Sequence, residues 1–363
     1  MKKKLIALFS IFAVILVGVY ALNRRSSRNQ VQNDGELQVV TSFYPMYILT
    51  KNLTKDASGV TVVNLTENQT GCLHDYQLTT QDMIILSSAD LFVMNGGGME
   101  GFVQNVIEAY PNLETVEASA KIKMLASTSE HHHDHGDEEH EDETHEEAEH
   151  DEHLEEEHND GTTEHDEEEE HNHGAADHEE EMHELENEHK HDHGEWNAHV
   201  WMNLENYLIE MKNVYQALIT KDPENETIYT RNYVNYREEV EALKVEYENE
   251  LQGIVNKEVI IFHDAFAYMA DQLGLEVVKA VNLDSDTYLS AGEVKEIIDE
   301  VKSHDIKVLF TEEQYSDSVA SSVAKETNAN VYVVDSLVTG KDDLNAYIEG
   351  MRNNLEVLKK ALY

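Results

Sequence analysis

Three things are scarce in this chain of 363 residues: cysteine, basic side chains, and any short motif of a common enzyme class. The single cysteine, Cys72, excludes an internal disulfide, so the fold must rest on its core. Lys and Arg number 26 against 74 Asp and Glu, a net charge of −48. That balance excludes nucleic acid as a partner, because neutralising phosphates needs clustered cations. It favours divalent cations instead. Neither an H-E-x-x-H zinc-protease helix, a G-x-S-x-G elbow, a phosphate-binding loop nor a dinucleotide fingerprint is present, so the chain reads as a binder and not an enzyme.

What the chain has in excess is histidine, and in one place. Residues 131–193 hold 17 of the 21 histidines, and residues 130–195 hold 32 Asp and Glu against one Lys. The stretch has no proline, no apolar period, and only Leu154, Met182 and Leu185 as sizeable apolar side chains. Such a composition cannot bury enough surface to offset the entropy of ordering, and disorder is the expectation. Its histidines, among them His131, His132, His133, His135, His191 and His193, are expected to bind several ions weakly and exchange them fast. The four outside it are His74, His199, His263 and His304.

The amino terminus carries Lys2 to Lys4, an apolar run from Leu5 to Leu22, then Arg24, Arg25 and Arg28. This pattern suits an export signal. The run is long for a signal core, and neither an A-x-A site nor a nearby cysteine follows it. An uncleaved membrane anchor is therefore expected, with a cleaved signal as second choice. Either way the remainder lies outside the cytoplasm.

Beyond residue 36, strand-like and helix-like segments alternate. Strands are expected at 37–41, 60–65, 91–94 and 115–116, then at 259–262, 277–281, 308–310 and 331–334. Helices fall between them, and the alternation predicts parallel sheets flanked by helices. Asp222-Pro223 opens a stretch without Pro or Gly up to Gln252, with Tyr233, Tyr236, Val240, Leu243, Tyr247 and Leu251 on one stripe. The expected layout has an anchor and tether (1–35), an amino-terminal lobe (36–221) interrupted by the acidic tract, a long linking helix (222–253), and a carboxyl-terminal lobe (254–363). The fold class is thus α/β, two lobes joined by one long helix.

In open α/β sheets, ligands bind beyond the carboxyl ends of the strands. His263 follows the strand at 259–262, Glu312 that at 308–310, and Asp335 that at 331–334. His74 lies in the loop after 60–65. Singly, each reads as well as an ordinary loop or core residue; four unrelated segments meeting at one rim read as a site.

Five motifs then appear in order: Thr41-Ser42-Phe43-Tyr44-Pro45-Met46-Tyr47, Gly71-Cys72-Leu73-His74-Asp75-Tyr76, Ala198-His199-Val200-Trp201-Met202, Phe262-His263-Asp264-Ala265-Phe266 and Phe310-Thr311-Glu312-Glu313-Gln314. The set resembles the zinc-specific solute-binding proteins of bacterial metal ABC importers, over about residues 37 to 363. The resemblance implies two lobes on a rigid helix with the metal between them. It implies His74, His199 and His263 as direct ligands, Asp335 at a late carboxylate position that water fills in some members, and Glu312 in support of a ligand. It also implies an ABC permease as partner, and a monomer is expected. Cys72 and Leu73 depart from the small or proline residues usual before the first ligand.

Imidazole chemistry points the same way. Three histidines with one carboxylate or water suit four-coordinate Zn²⁺, whereas manganese prefers more oxygen donors. A manganese-binding or other divalent-metal member of the family, or a surface zinc buffer or adhesin without transport, are the alternatives.

Overall fold

The computed structural model describes residues 36–67, 71, 73, 76–127, 196–281, 289–312 and 317–363. The apolar run at 5–22, His74, Cys72 and the whole acidic tract lie outside the described residues.

The first lobe is built from β1 (Leu37–Thr41), α1 (Tyr44–Thr54), β2 (Val60–Asn64), α2 (Thr80–Ser87), β3 (Leu91–Met94), α3 (Val103–Ala109) and β4 (Glu114–Glu117). Its four strands pair in parallel in the order β2-β1-β3-β4. Pro45 sits in the first turn of α1, where its missing N–H costs nothing. Thr79 and Asp82 close a reciprocal capping box at α2. Two residues of β5 (Leu125–Ala126) pair antiparallel with two of β6 (Trp196–Asn197), which sets residues 126 and 196 side by side.

A short 3₁₀ turn (Val200–Met202) leads into α4 (Leu204–Lys221), capped by the Asn203 carboxamide on the backbone of Glu205 and Asn206. The long helix α5 runs from Glu226 to Glu250, 25 residues and about 37 Å at the standard rise. It starts later than the Asp222-Pro223 signal suggests. Pro223–Asn225 forms a 3₁₀ turn, and the Asp222 carboxylate accepts from the Tyr229 hydroxyl (2.6 Å) and the Asn225 amide (2.7 Å) instead of capping backbone.

The second lobe comprises β7 (Glu258–Ile261), α6 (Phe266–Leu273), β8 (Glu276–Ala280), α7 (Ala291–Ser303), β9 (Val308–Thr311), α8 (Asp317–Glu326), β10 (Asn330–Val333) and α9 (Ala346–Leu362). The sheet order is β10-β9-β7-β8, again all parallel. Strict alternation along β7 explains its continuous apolar run. Val259 and Ile261 join one core while Ile260 and Phe262 join another on the opposite face.

Helix α5 packs on α1 and α4 of the first lobe and α9 of the second. Its stripe of Tyr236, Val240, Leu243 and Tyr247 is buried, and Tyr233 stacks on Tyr215 at 4.4 Å. Asn232, buried in the same stripe, donates to the carbonyls of Leu53 (3.0 Å) and Lys55 (2.6 Å), which closes the end of α1. One apolar cluster runs unbroken from Val39 in β1 through Trp201 and Tyr207 to Leu358 in α9. A continuous core between lobes resists wide hinge opening.

A buried carboxylate interrupts this apolar cluster. Glu210 lies on the apolar face of α4, fully buried, with no hydrogen bond to either carboxylate oxygen among the described residues. Burial foremost, and then the nearby charge of Glu100, push its pKa well above the ordinary value. A raised native pKa means that the folded chain holds this proton more tightly than the unfolded chain does. The stabilising contribution is complete below about pH 4.5, the ordinary value, and is lost as pH rises through the native pKa. Glu210→Met is therefore expected to stabilise the fold at pH 8 by about 1–3 kcal/mol, the cost of an unsatisfied buried polar group, and by less at pH 5. Urea denaturation at the two pH values checks this; equal gains at both would contradict it.

Candidate metal centre

The second lobe brings three residues to one rim. The ladder of β7 and β9 continues one step, Phe262 donating to Phe310, which holds His263 just past the strand end. Val334 likewise donates to Thr311, fixing the start of the Asp335-Ser336 turn. His263 and Glu312 are both buried, and the His263 Nδ1 lies 2.6 Å from Glu312 Oε2. A carboxylate oxygen so placed takes Nδ1–H as its donor, the tautomer that leaves Nε2 as the nitrogen for a metal. The other Glu312 oxygen accepts from the Ser336 backbone (3.3 Å) and the Ser336 hydroxyl. Both oxygens are thereby committed, and the imidazole is held from behind.

His199 arrives from the first lobe, between β6 and the 3₁₀ turn, and is buried. Trp201 backs it, ring centroids 5.3 Å apart, and is itself locked by donating Nε1 to the Ser336 carbonyl at 2.7 Å. Tyr347 donates to the Trp201 carbonyl at 2.7 Å. The rings of His199 and His263 meet edge to face with centroids 4.9 Å apart. Two imidazoles that close, each with Nδ1 occupied from behind, present nitrogen donors of the kind a tetrahedral cation such as zinc takes.

The turn after β10 is held under strain. Leu337 has a φ of +58°, in the left-handed region that β-carbon side chains avoid. The Asp335 carboxylate accepts from the Leu337 backbone at 2.8 Å. Asn354 grips Asp335 from both sides, accepting from its N–H (2.9 Å) and donating to its carbonyl (2.8 Å). Asp335 is exposed, on the side facing Tyr44. Burial, and next the charge of Asp335, raise the pKa of that tyrosine.

Two described residues flank the position of His74. Leu73 is buried, and Tyr76 donates to Asp82 at 2.8 Å, its own pKa pushed up to about 12 by burial first and by that contact second. Asn95, at the head of the Gly96-Gly97-Gly98 loop, donates to the carbonyl of Ala198, one residue before His199. His304 ends α7 between Glu258 (3.3 Å) and Glu300 (3.6 Å). Glu258 begins β7, so His304 is at the opposite end of the strands from His263. Among the described residues, no group of three or more His, Cys, Asp and Glu is gathered to hold a metal. Of the residues named from the sequence, the structure sets His199 against His263 and His263 against Glu312, in two pairwise contacts, and leaves Asp335 exposed. Asn197, Ser336 and Tyr268 join them without any sequence signal beyond their nearness to a histidine or carboxylate in the chain.

Known proteins share this architecture. Residues 39–361 match the family model of the periplasmic zinc-uptake complex component A, ZnuA. The high-affinity zinc uptake system protein ZnuA of Bacillus subtilis is 30% identical over 369 residues, covering 100% of this chain and 99% of that protein. The zinc-binding protein AdcA of Streptococcus pyogenes serotype M3 is 26% identical over 99% of this chain, which spans 61% of its length. The crystal structure of the metal-dependent lipoprotein YcdH from Bacillus subtilis superposes with a TM-score of 0.63 at 25% identity, over 90% of this chain and 100% of that one. The chain belongs to the ZnuA family of zinc-uptake solute-binding proteins.

Proposed function

We propose that this protein is the extracytoplasmic zinc-binding component of an ABC importer, which captures Zn²⁺ between its lobes and delivers it to a membrane permease. The observation that carries the reading is the His199–His263 pair, two buried imidazoles from different lobes with ring centroids 4.9 Å apart. In this reading His74 is the third imidazole, Asp335 or water completes the set, and Glu312 keeps the His263 ring in place. Neutral nitrogen donors favour zinc over manganese. The chain acts by binding and not by catalysis. The apolar run at 5–22 anchors it to the membrane, and it works as a monomer.

The continuous core and α5 limit relative lobe motion, so release on the permease proceeds through shifts of the loops bearing His74 and His199 more than through wide opening. The 130–195 tract serves as a collecting or sensing appendage whose ions must each offset ordering entropy. Removing residues 130–195 is expected to leave one tight zinc per chain and to abolish the weak ones. Calorimetric titration of the deleted protein checks it, and loss of the tight site would place the primary ligands in the tract.

A further inference from the structure

The His199 ring has its own fixed partner on the strand that precedes it. Asn197, the last residue of β6, is buried, 2% exposed. Its Oδ1 accepts from the His199 backbone N–H at 3.0 Å and faces the ring Nδ1 at 3.0 Å. Its Nδ2 donates to the Asp264 carbonyl at 2.8 Å, one residue beyond His263. These contacts settle which way the amide points, since a backbone N–H must meet the oxygen and a carbonyl must meet the nitrogen. An amide oxygen only accepts, so the His199 Nδ1 must bear the proton. The Asn197 carbonyl in turn accepts from the Tyr268 hydroxyl (2.8 Å), which itself accepts from the Leu125 N–H (2.9 Å) across β5.

From this we infer that Asn197 is a positioning residue for zinc capture. It fixes His199 as the Nδ1–H tautomer, leaves Nε2 as the donor, and ties the His199 turn to the His263 loop of the other lobe. Neutral imidazole in water favours the opposite tautomer, whose Nε2 is blocked by its own proton. The inference rests on His199 being a zinc ligand. It adds to the Glu312–His263 contact a counterpart on the first lobe, with a carboxamide where the other has a carboxylate.

The test has two parts. In metal-free full-length protein labelled with ¹⁵N-histidine, long-range ¹H–¹⁵N correlation should show His199, assigned by its loss in His199→Ala, protonated on Nδ1. Competition for zinc against a chromophoric chelator should then show Asn197→Ala weakened by about 10- to 100-fold, as outer partners of metal-bound histidines generally are. Asn197→Asp keeps an acceptor oxygen for the ring but gives up the donation to the Asp264 carbonyl, so its loss should be smaller than that of Asn197→Ala. An Nε2–H tautomer in the unaltered protein would overturn the inference even if a variant failed to fold. So would full affinity in Asn197→Ala, or a loss in folded Asn197→Asp as large as in Asn197→Ala. Full affinity in His199→Ala would instead remove His199 from the zinc site, a separate failure.

Discussion

His263→Ala is expected to lower zinc affinity by more than about 100-fold while leaving the metal-free fold intact. The lower bound follows from comparison. Removing a residue that merely orients a metal-bound histidine costs 10- to 100-fold, and deleting the donor itself must cost more. The fold should survive, at a lower melting temperature, because the packing around His263 is supplied by others while the buried Glu312 Oε2 loses its partner. Phe262 and Phe266 are buried on either side, and the Phe262–Phe310 backbone contact does not involve the imidazole. Competition titration reads the affinity, and thermal melting of the metal-free variant reads the fold. Unchanged affinity would remove His263 from the site.

Glu312→Gln and Glu312→Ala should fall on a graded series. The carboxylate does two jobs, accepting from His263 Nδ1 and from Ser336 in the strained turn that carries Asp335. Glutamine retains one acceptor oxygen but must turn an NH₂ toward a donor, the ring or Ser336. A loss of roughly tenfold is expected for glutamine and nearer 100-fold for alanine. Alanine also leaves a buried cavity and an unanswered Ser336 hydroxyl, so its metal-free melting temperature should drop as well. Equal affinities for both variants and the unaltered protein would mean that the His263 ring is held by packing alone.

The strands of both lobes were legible because their apolar runs have a single explanation. In Val259-Ile260-Ile261-Phe262 no residue is polar, and both faces of the strand are in fact covered, by two separate cores. Once such strands are parallel, the residues just past their ends share a rim, and chain order alone puts His263, Glu312 and Asp335 beyond those ends. The long helix was legible as a stripe but not at its start. Asp222-Pro223 has the composition of a helix cap, yet the carboxylate finds the Tyr229 hydroxyl, a partner seven residues on that no local rule anticipates. Other features were illegible for similar reasons. The β5–β6 ladder has two residues on each side, too short for periodicity, with some 70 residues between the halves. Glu210 follows the apolar spacing of α4, at the position where Met211 and Val214 also turn inward, but a carboxylate there reads as solvent-facing until its burial is seen. Asn197 is the instructive case. It stands two residues before His199, the spacing at which an Asn side chain folds back on the main chain, and the same oxygen that closes that turn also meets the ring. The tertiary half of its role, the bond to Asp264, requires the second lobe to be present.

On the proposed reading, the tight zinc sits between the lobes on histidines the acidic tract does not contain. Crystals of the full-length protein loaded with one equivalent of zinc, with diffraction recorded above and below the zinc absorption edge, test it directly. One strong anomalous peak is expected, at about 2.0–2.1 Å from imidazole nitrogens of His74, His199 and His263. A peak held by histidines between 131 and 193, or one that leaves His199 and His263 without metal, would contradict it.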